Sequence, residues 1–393
     1  MSEKIKIGDH IKIVPGFPFN SQQFNIEGEG LPLIRIRDLL KSKIGTYYRG
    51  EYPSEYLIHE GDILIGMDGD FHIVKWKNRQ KALLNQRIMK VAQKEGASID
   101  ITYFYYFLFP FLKEVWDRTT ATTVKHLSTY DISEALEKFP TVNEQRKISH
   151  ILSTADVVIE KTQAAIAKYK AIKQGMLHDL FTRGIDLQTG KLRPRYEDAP
   201  ELYKESSLGF IPVEWEEKKL ENICSMKSGE GITSIRIHEM GDYPVYGGNG
   251  LRGFTNTYTH GGEYTLIGRQ GALCGNITRA SGKFYASEHA VVVTVENEID
   301  IDWLSQKLDT MNLNQYSEAS AQPGLSVNKI LRLSISKPSF QEQEKIAERL
   351  LSIDQKLHTE QAYLHKLLQL KAGLMGDLLS GSVKVSESRM EGI

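Results

Sequence analysis

A chain of 393 residues, 40% of them apolar, has room for two or three domains and enough apolar side chains to build their cores. Its 49 Lys and Arg against 50 Asp and Glu leave it almost neutral, so no global positive field advertises a nucleic-acid partner and any basic surface must be local. Two distant cysteines, Cys224 and Cys274, exclude a disulfide framework and a cysteine metal site, and no apolar run is long enough for a membrane span or a signal core, so we expect a cytoplasmic protein with no membrane partner.

Residues 1–139 read as a mixed domain of short strands and a few helices. Ile5, Ile7, Ile11 and Ile13 alternate with polar residues, and the runs LPLIRIRDLL and GDILIGMDG predict strands bounded by glycine-marked turns. The aromatic run DITYFYYFLFPFLKEVW predicts a helix of about fifteen residues, interrupted or ended near Pro110.

Residues 140–184 read as one long helix. Thr141 and Glu144 stand at the spacing of a capping box, and Gly184 supplies the stop. A seam of apolar or small residues runs through Ile148, Leu152, Ala155, Ile159, Ile166, Tyr169, Ile172, Met176 and Leu180, mostly in steps of four and three. From Asn143 to Arg195 there are ten Lys or Arg against five Asp or Glu, which suits a solvated helix face or a phosphate-facing one equally well. The prolines, glycine and mixed charge of residues 185–212 mark a connector rather than a core element. A second mixed domain occupies 213–337, a second long helix 338–381, and a flexible tail 382–393.

The second helix repeats the first. Adding 198 to a residue number in the first copy gives its counterpart without a gap: Pro140 falls on Pro338, Glu144 and Gln145 on Glu342 and Gln343, Asp156 on Asp354. The capping box recurs as Ser339 with Glu342, and the seam as Ile346, Leu350, Ile353, Leu357, Leu364, Leu367, Leu374 and Leu378. Thr162 falls on Glu360, a polar interruption suited to fixing helix register. The mixed domains repeat more faintly, ILIGMDG matching TLIGRQG and NQRIMKV matching SEHAVVV. The expected fold is therefore α+β: two mixed α/β domains alternating with two long antiparallel helices paired as a coiled coil, with a pseudo-twofold duplication. Each helix would span on the order of 60 Å at about 1.5 Å per residue.

No motif carries catalysis. The chain lacks a phosphate loop, a nucleophile elbow, an H-E-x-x-H zinc pair and any Pro-Pro pair of the kind that cradles a base for amino methylation, and its eleven histidines are scattered, so no metal site is expected. What remains are polar residues in loops. Arg269 and Gln270 sit in a glycine-flanked turn where Met67 and Asp68 stand in the first domain, and Arg and Gln are the side chains that pair bidentately with guanine and adenine edges. Candidate DNA contacts by residue type and loop context are Arg35, Arg37, Lys75, Lys77, Gln86, Arg87, Lys125 and His126 in the first domain. In the second they are Arg236, Arg252, Arg269, Gln270, His289 and Gln322.

Two mixed domains alternating with two like helices, each entered through P-x-x-x-E-Q-x-K-I, and a connector carrying TGKLRP, EDAPELYKES and LGFIPVEWE, resemble the specificity subunit of type I restriction-modification systems. The first domain departs in lacking the IPVEW lead-in of residues 211–215. The resemblance implies a non-catalytic chain whose two target-recognition domains each read half of a bipartite double-stranded DNA site, with the helices setting the spacing. It implies as partners two methylation subunits, which use S-adenosylmethionine, and restriction subunits driven by ATP and Mg, with no cofactor in this chain. A stand-alone coiled-coil DNA-binding repressor or architectural protein is the alternative.

Overall fold

The computed structural model describes residues 3–41, 44–119, 124–271, 273–317 and 324–385. The chain forms two compact units, Met1–Thr162 with Leu364–Ile393, and Gln163–Tyr363. The long helices, Val142–Thr182 and Phe340–Leu379, are continuous, so each contributes one half to each unit.

The two units are built alike. In the first, β-branched runs form an antiparallel sheet in the order Ile11–Pro15, Ile88–Gln93, Ile63–Gly66, Ile73–Lys75. In the second the order is Cys224–Ser228, Ala290–Val295, Tyr264–Gly268, Ile277–Ala280. Val91 lies opposite Ile13 and Ile63, and its counterpart Val293 opposite Met226 and Thr265, so the register repeats as well as the order. A further sheet in each unit includes one parallel pairing, Leu33 with Leu83 and Val245 with Tyr285. At the foot of each mixed domain a short antiparallel pair closes the chain on itself: Ile5–Lys6 with Leu136–Glu137, and Glu216–Lys219 with Ser334–Lys337. LPLIRIRDLL is strand only over Leu31–Ile34, after which Ile36–Asp38 turns as a 3-10 helix.

The aromatic helix runs from Ile101 to Arg118 straight through Pro110, longer than the sequence suggests. Proline removes one backbone donor, but Leu108, Phe111, Leu112 and Val115 are buried on either side of it, and that packing holds the helix together.

Why P-x-x-x-E-Q recurs is visible at its glutamine. Gln145 is fully buried; its Oε1 accepts from the Asp100 N–H at 2.7 Å and its Nε2 donates to the carbonyls of Ser98 and Pro140, both at 2.9 Å. Gln343 does the same with the Asp300 N–H at 2.9 Å and the carbonyls of Glu298 and Pro338 at 3.3 and 3.0 Å. Asp100 and Asp300 cap the helices that follow, accepting from the N–H of Tyr103 and Trp303. One amide thus ties the start of a long helix to the start of a domain helix, in both units.

Within each unit the two helix halves pack antiparallel. In the first, Ile148, Leu152 and Leu378 share a core with Tyr103, Phe104 and Leu108; in the second, Leu180, Ile346 and Leu350 share one with Trp303, Leu304 and Leu308. Ile159, Ile166 and Leu357 of the expected seam are buried, while Tyr169 and Leu364 are half-buried. Ile172 is not in the seam: it and its counterpart Leu370 are exposed, and the next residues, Lys173 and Lys371, turn inward. Lys371 pairs with Asp156 at 2.5 Å and Lys173 with Asp354 at 2.6 Å. Since 156 + 198 = 354 and 173 + 198 = 371, these are one interaction seen twice with its partners exchanged. Each aspartate also accepts from a domain helix, from the Tyr106 hydroxyl at 2.7 Å or from Gln306 Nε2 at 2.9 Å. Thr162 does not supply the register contact, because it is buried with its hydroxyl turned back to the Val158 carbonyl; its counterpart Glu360 is half-buried.

The helix starts differ. Thr141 and Glu144 form the full capping box, the Thr141 N–H donating to Glu144 at 2.8 Å and the Glu144 N–H to the Thr141 hydroxyl at 3.3 Å. At the second helix only the hydroxyl half exists, with Ser339 Oγ accepting from the Glu342 N–H at 3.4 Å. The Glu342 carboxylate is buried and accepts instead from Arg193 at 2.5 and 3.1 Å, from Trp215 Nε1 at 3.0 Å and from the Ile185 N–H at 2.7 Å. The segment expected to be a mere connector is therefore built into the core of the second unit through Ile185 and Ile211, together with Trp215 just beyond it. Gly184 is required here at φ +65°, since a Cβ would lie 2.1 Å from Glu342 Oε1 and 2.4 Å from the Trp215 ring. Among the described residues no helix is long and apolar enough to cross a membrane.

Candidate nucleic-acid interface

Strands Ile63–Gly66 and Tyr264–Gly268 both end in glycine-bounded turns, and each turn meets two other loops. In the first unit the Met67 N–H donates to the Arg87 carbonyl at 2.9 Å, the Leu127 N–H to the Met67 carbonyl at 2.7 Å and the Gly69 N–H to the Lys125 carbonyl at 3.0 Å. In the second the Arg269 N–H donates to the His289 carbonyl at 2.8 Å and the Leu325 N–H to the Arg269 carbonyl at 2.9 Å. Backbone hydrogen bonds thus bring three sequence-distant loops to one place in each unit, and the side chains there are free to differ.

They do differ. In the first unit the Asp68 carboxylate accepts from His126 Nδ1 at 2.7 Å and pairs with Arg87 Nη1 at 3.5 Å. Arg87 holds φ +70°, a left-handed backbone uncommon for a residue with a side chain. Lys125 lies 3.5 Å over the ring of Trp116, whose Nε1 donates to the Gly69 carbonyl at 2.9 Å and so props the turn from below. In the second unit Arg252, Gln270 and His289 line an open cavity of about 500 Å³ with Gly248, Asn249, Gly271 and Leu273. His289 Nε2 stands 3.2 Å from Glu288 Oε1.

The remaining predicted contacts lie elsewhere or are engaged inside the chain. Arg35 pairs with the buried carboxylate of Asp38 at 3.0 Å, Lys77 pairs with Glu160 of the first long helix, and Arg269 Nη1 donates to the Ser228 hydroxyl at 3.0 Å. Arg236 donates to Thr257 at 3.1 Å from an exposed turn. Arg37 and Gln86 are exposed and Lys75 is half-buried at a strand end. Gln322 lies outside the described residues. No group of acidic, His or Cys residues among the described residues has the makings of a metal site. Asp68, Trp116 and Asn249 were missed as site residues. Only Asp68 left a signal, falling opposite Gln270 in the duplicated turn.

The sequence family described as the type I restriction modification DNA specificity domain matches residues 2–168 and again 212–369. The chain belongs to this family. Specificity subunits are non-catalytic DNA target-recognition subunits, and the two matches correspond to the two duplicated halves. Among its relatives, the EcoprrI specificity subunit of Escherichia coli is 36% identical over 282 residues, covering 69% of this chain and 66% of that one, just under two thirds of its length. The EcoBI specificity subunit of Escherichia coli is 28% identical over 383 residues, covering 88% of this chain and 78% of the relative. The crystal structure of the type I restriction-modification S subunit from M. genitalium shares the fold, with a TM-score of 0.67 over 95% of both chains at 19% identity.

Proposed function

We propose that each unit of this specificity subunit reads one half of a bipartite double-stranded DNA site where its three loops meet. The observation that carries the reading is the convergence itself: the same backbone hydrogen bonds build the same platform twice, and the platform displays Asp68, Arg87 and His126 in one unit and Arg252, Gln270 and His289 in the other. Such a chain reads two different half-sites from one scaffold. Arg37, Lys75 and Arg236 supply phosphate contacts, and Gln270, which lines the open cavity, reads a base in the second half.

The long helices set the number of unspecified base pairs between the half-sites and dock two methylation subunits, with restriction subunits completing the complex in the cytoplasm. S-adenosylmethionine, ATP and Mg belong to those partners. The stand-alone repressor reading is not favoured, because it leaves the membership of a restriction-modification family without a role.

The test is sequencing of methylated adenines in cells holding the methylation subunits with and without this chain. One bipartite motif appearing only with the chain is expected; unchanged methylation, or a motif with a single block, would overturn the reading. Gln270→Ala should relax one position of one half-site only.

A further inference from the structure

Two side-chain-bearing residues of the first unit, Phe71 and Arg87, hold a positive φ among the described residues, and Arg87 is the one that stands where the three loops meet. Its backbone is held at φ +70°, a conformation that costs a side-chain-bearing residue on the order of 1 kcal/mol or more and that clusters where function over-determines the local structure. Its guanidinium stands out from the loop with more than half of the side chain exposed, and a single ion pair among the described residues restrains it. Nη1 faces Asp68 Oδ2 at 3.5 Å, and Asp68 is itself fixed by His126 Nδ1 at 2.7 Å on its other oxygen. The remaining N–H donors of Arg87 have no partner among the described residues. The carboxylate that restrains Arg87 is mostly buried at 27% exposure, so it serves as a buttress behind the guanidinium rather than as a competing surface anion.

We propose that the first unit reads a guanine through Arg87, with Asp68 and His126 as positioning residues that aim its guanidinium. This rests on the DNA-reading function proposed above and specifies it. A phosphate contact can be made by a positive charge on a flexible stem, as lysine makes it, whereas bidentate pairing with guanine O6 and N7 requires the planar fork to arrive in one orientation. The ion pair with Asp68 narrows the rotational freedom of the guanidinium before binding. At the equivalent positions of the second unit the set is absent. Asp68 is replaced by Gln270, Arg87 by His289 and His126 by Gly324, and His289 is not among the residues at positive φ. The guanine preference that depends on Arg87 therefore belongs to one half-site.

The experiment uses the full chain with its methylation subunits and reads methylated adenines genome-wide, comparing the unaltered chain with Arg87→Gly, Arg87→Lys and Asp68→Asn. Glycine suits the left-handed backbone, so Arg87→Gly keeps the turn while deleting the guanidinium. The expected result is a G·C pair in one half-site of the unaltered motif at which Arg87→Gly accepts other bases. The rate of methylation at the original sites should fall about tenfold to a hundredfold, with the other half-site unchanged. Arg87→Lys should relax the same position, since an ammonium lacks the fork, and Asp68→Asn should relax it less. Uniformly slower methylation with every specified base retained would show a phosphate contact and overturn the proposal, as would a motif left intact at normal rates. Absence of any bipartite motif with the unaltered chain would instead refute the DNA-reading function on which the proposal rests.

Discussion

Gln145 and Gln343 show how much depends on single side chains in this protein. Each is fully buried and satisfies one donor and two acceptors of the backbone. Replacing Gln145 by leucine strands those groups in an apolar site, and a cost of roughly 2–4 kcal/mol to the first unit is expected, read as a lowered denaturant midpoint. The glutamates one residue earlier are matched in sequence but not in environment. Glu144 caps its helix at the surface, where its hydrogen bonds to Thr141 hold its carboxyl below the usual carboxylate range. Glu342 lies buried against Arg193 and Trp215. Glu144→Ala should therefore cost about 1 kcal/mol, and Glu342→Ala about 3–5 kcal/mol because it leaves the buried Arg193 with only the exposed Glu214 as counter-charge and strands the Trp215 N–H and Ile185 N–H; equal melting shifts would contradict the assignment.

Lys307 gives a pH dependence of definite sign. Burial beside the Phe181 ring, 5.2 Å away, pushes its pKa down from 10.5 to about 8. Between those two values the unfolded chain binds a proton that the folded chain does not, so stability rises as pH increases through this window and is flat outside it. Part of the side chain stays in contact with solvent, so the gain is roughly 1–3 kcal/mol. Urea titrations of the wild type and Lys307→Met across this range should differ in slope; parallel curves would refute the shift. Neither Lys307 nor the role of Gln145 was legible in the sequence, because both depend on partners that the fold brings in from elsewhere. The same holds for the loop surface: Asp68, Arg87 and His126 are joined across 58 residues of chain, and only their residue types were visible beforehand.

The long helices were the most legible elements, and their errors are informative. Counting only apolar residues puts Ile172 inside, but an unbroken alternation of three- and four-residue steps from Ile166 through Tyr169 to Met176 falls on Lys173, and that is the residue the helix turns inward, as it does Lys371 between Leu367 and Leu374. The reason is the aspartate on the facing half-helix: a lysine between apolar layers is tolerated because Asp156 or Asp354 neutralises it and a domain helix supplies a further hydrogen bond. The two lysines thus occupy seam positions that a search for apolar residues alone passes over. Two double-mutant cycles to alanine, Asp156 with Lys371 and Lys173 with Asp354, should give similar coupling energies of about 1–2 kcal/mol, since both pairs are only partly buried. A coupling in one unit and none in the other would mean that the duplication preserves geometry without preserving energetics. The connector was misread for a related reason. Its composition is that of a linker, but Arg193, and Trp215 just past its end, find their partner 127 or more residues away in Glu342.

At the scale of the whole molecule, the duplication gives the two mixed domains matching joints to the long helices. Ile5–Lys6 pairs with Leu136–Glu137 as Lys218–Lys219 pairs with Ser334–Ile335, and the Ile7 N–H donates to Ala135 as the Leu220 N–H donates to Leu333. Beyond these joints, Gln145 and Asp156 offer the first domain the anchors that Gln343 and Asp354 offer the second. Replacing residues 5–139 by a second copy of residues 218–337 therefore presents familiar partners on both sides of each join, Gln306 taking the place of Tyr106 at Asp156. The Trp215 latch is not carried along, and none is needed, because Glu144 satisfies itself at its own helix start. The exchanged chain should fold, assemble with the methylation subunits and direct methylation to a site whose two halves carry the same specified bases, those of the original second half. A motif that keeps the original first half would show that residues outside 5–139 read it. An insoluble chain would show that the anchors alone do not define the joint.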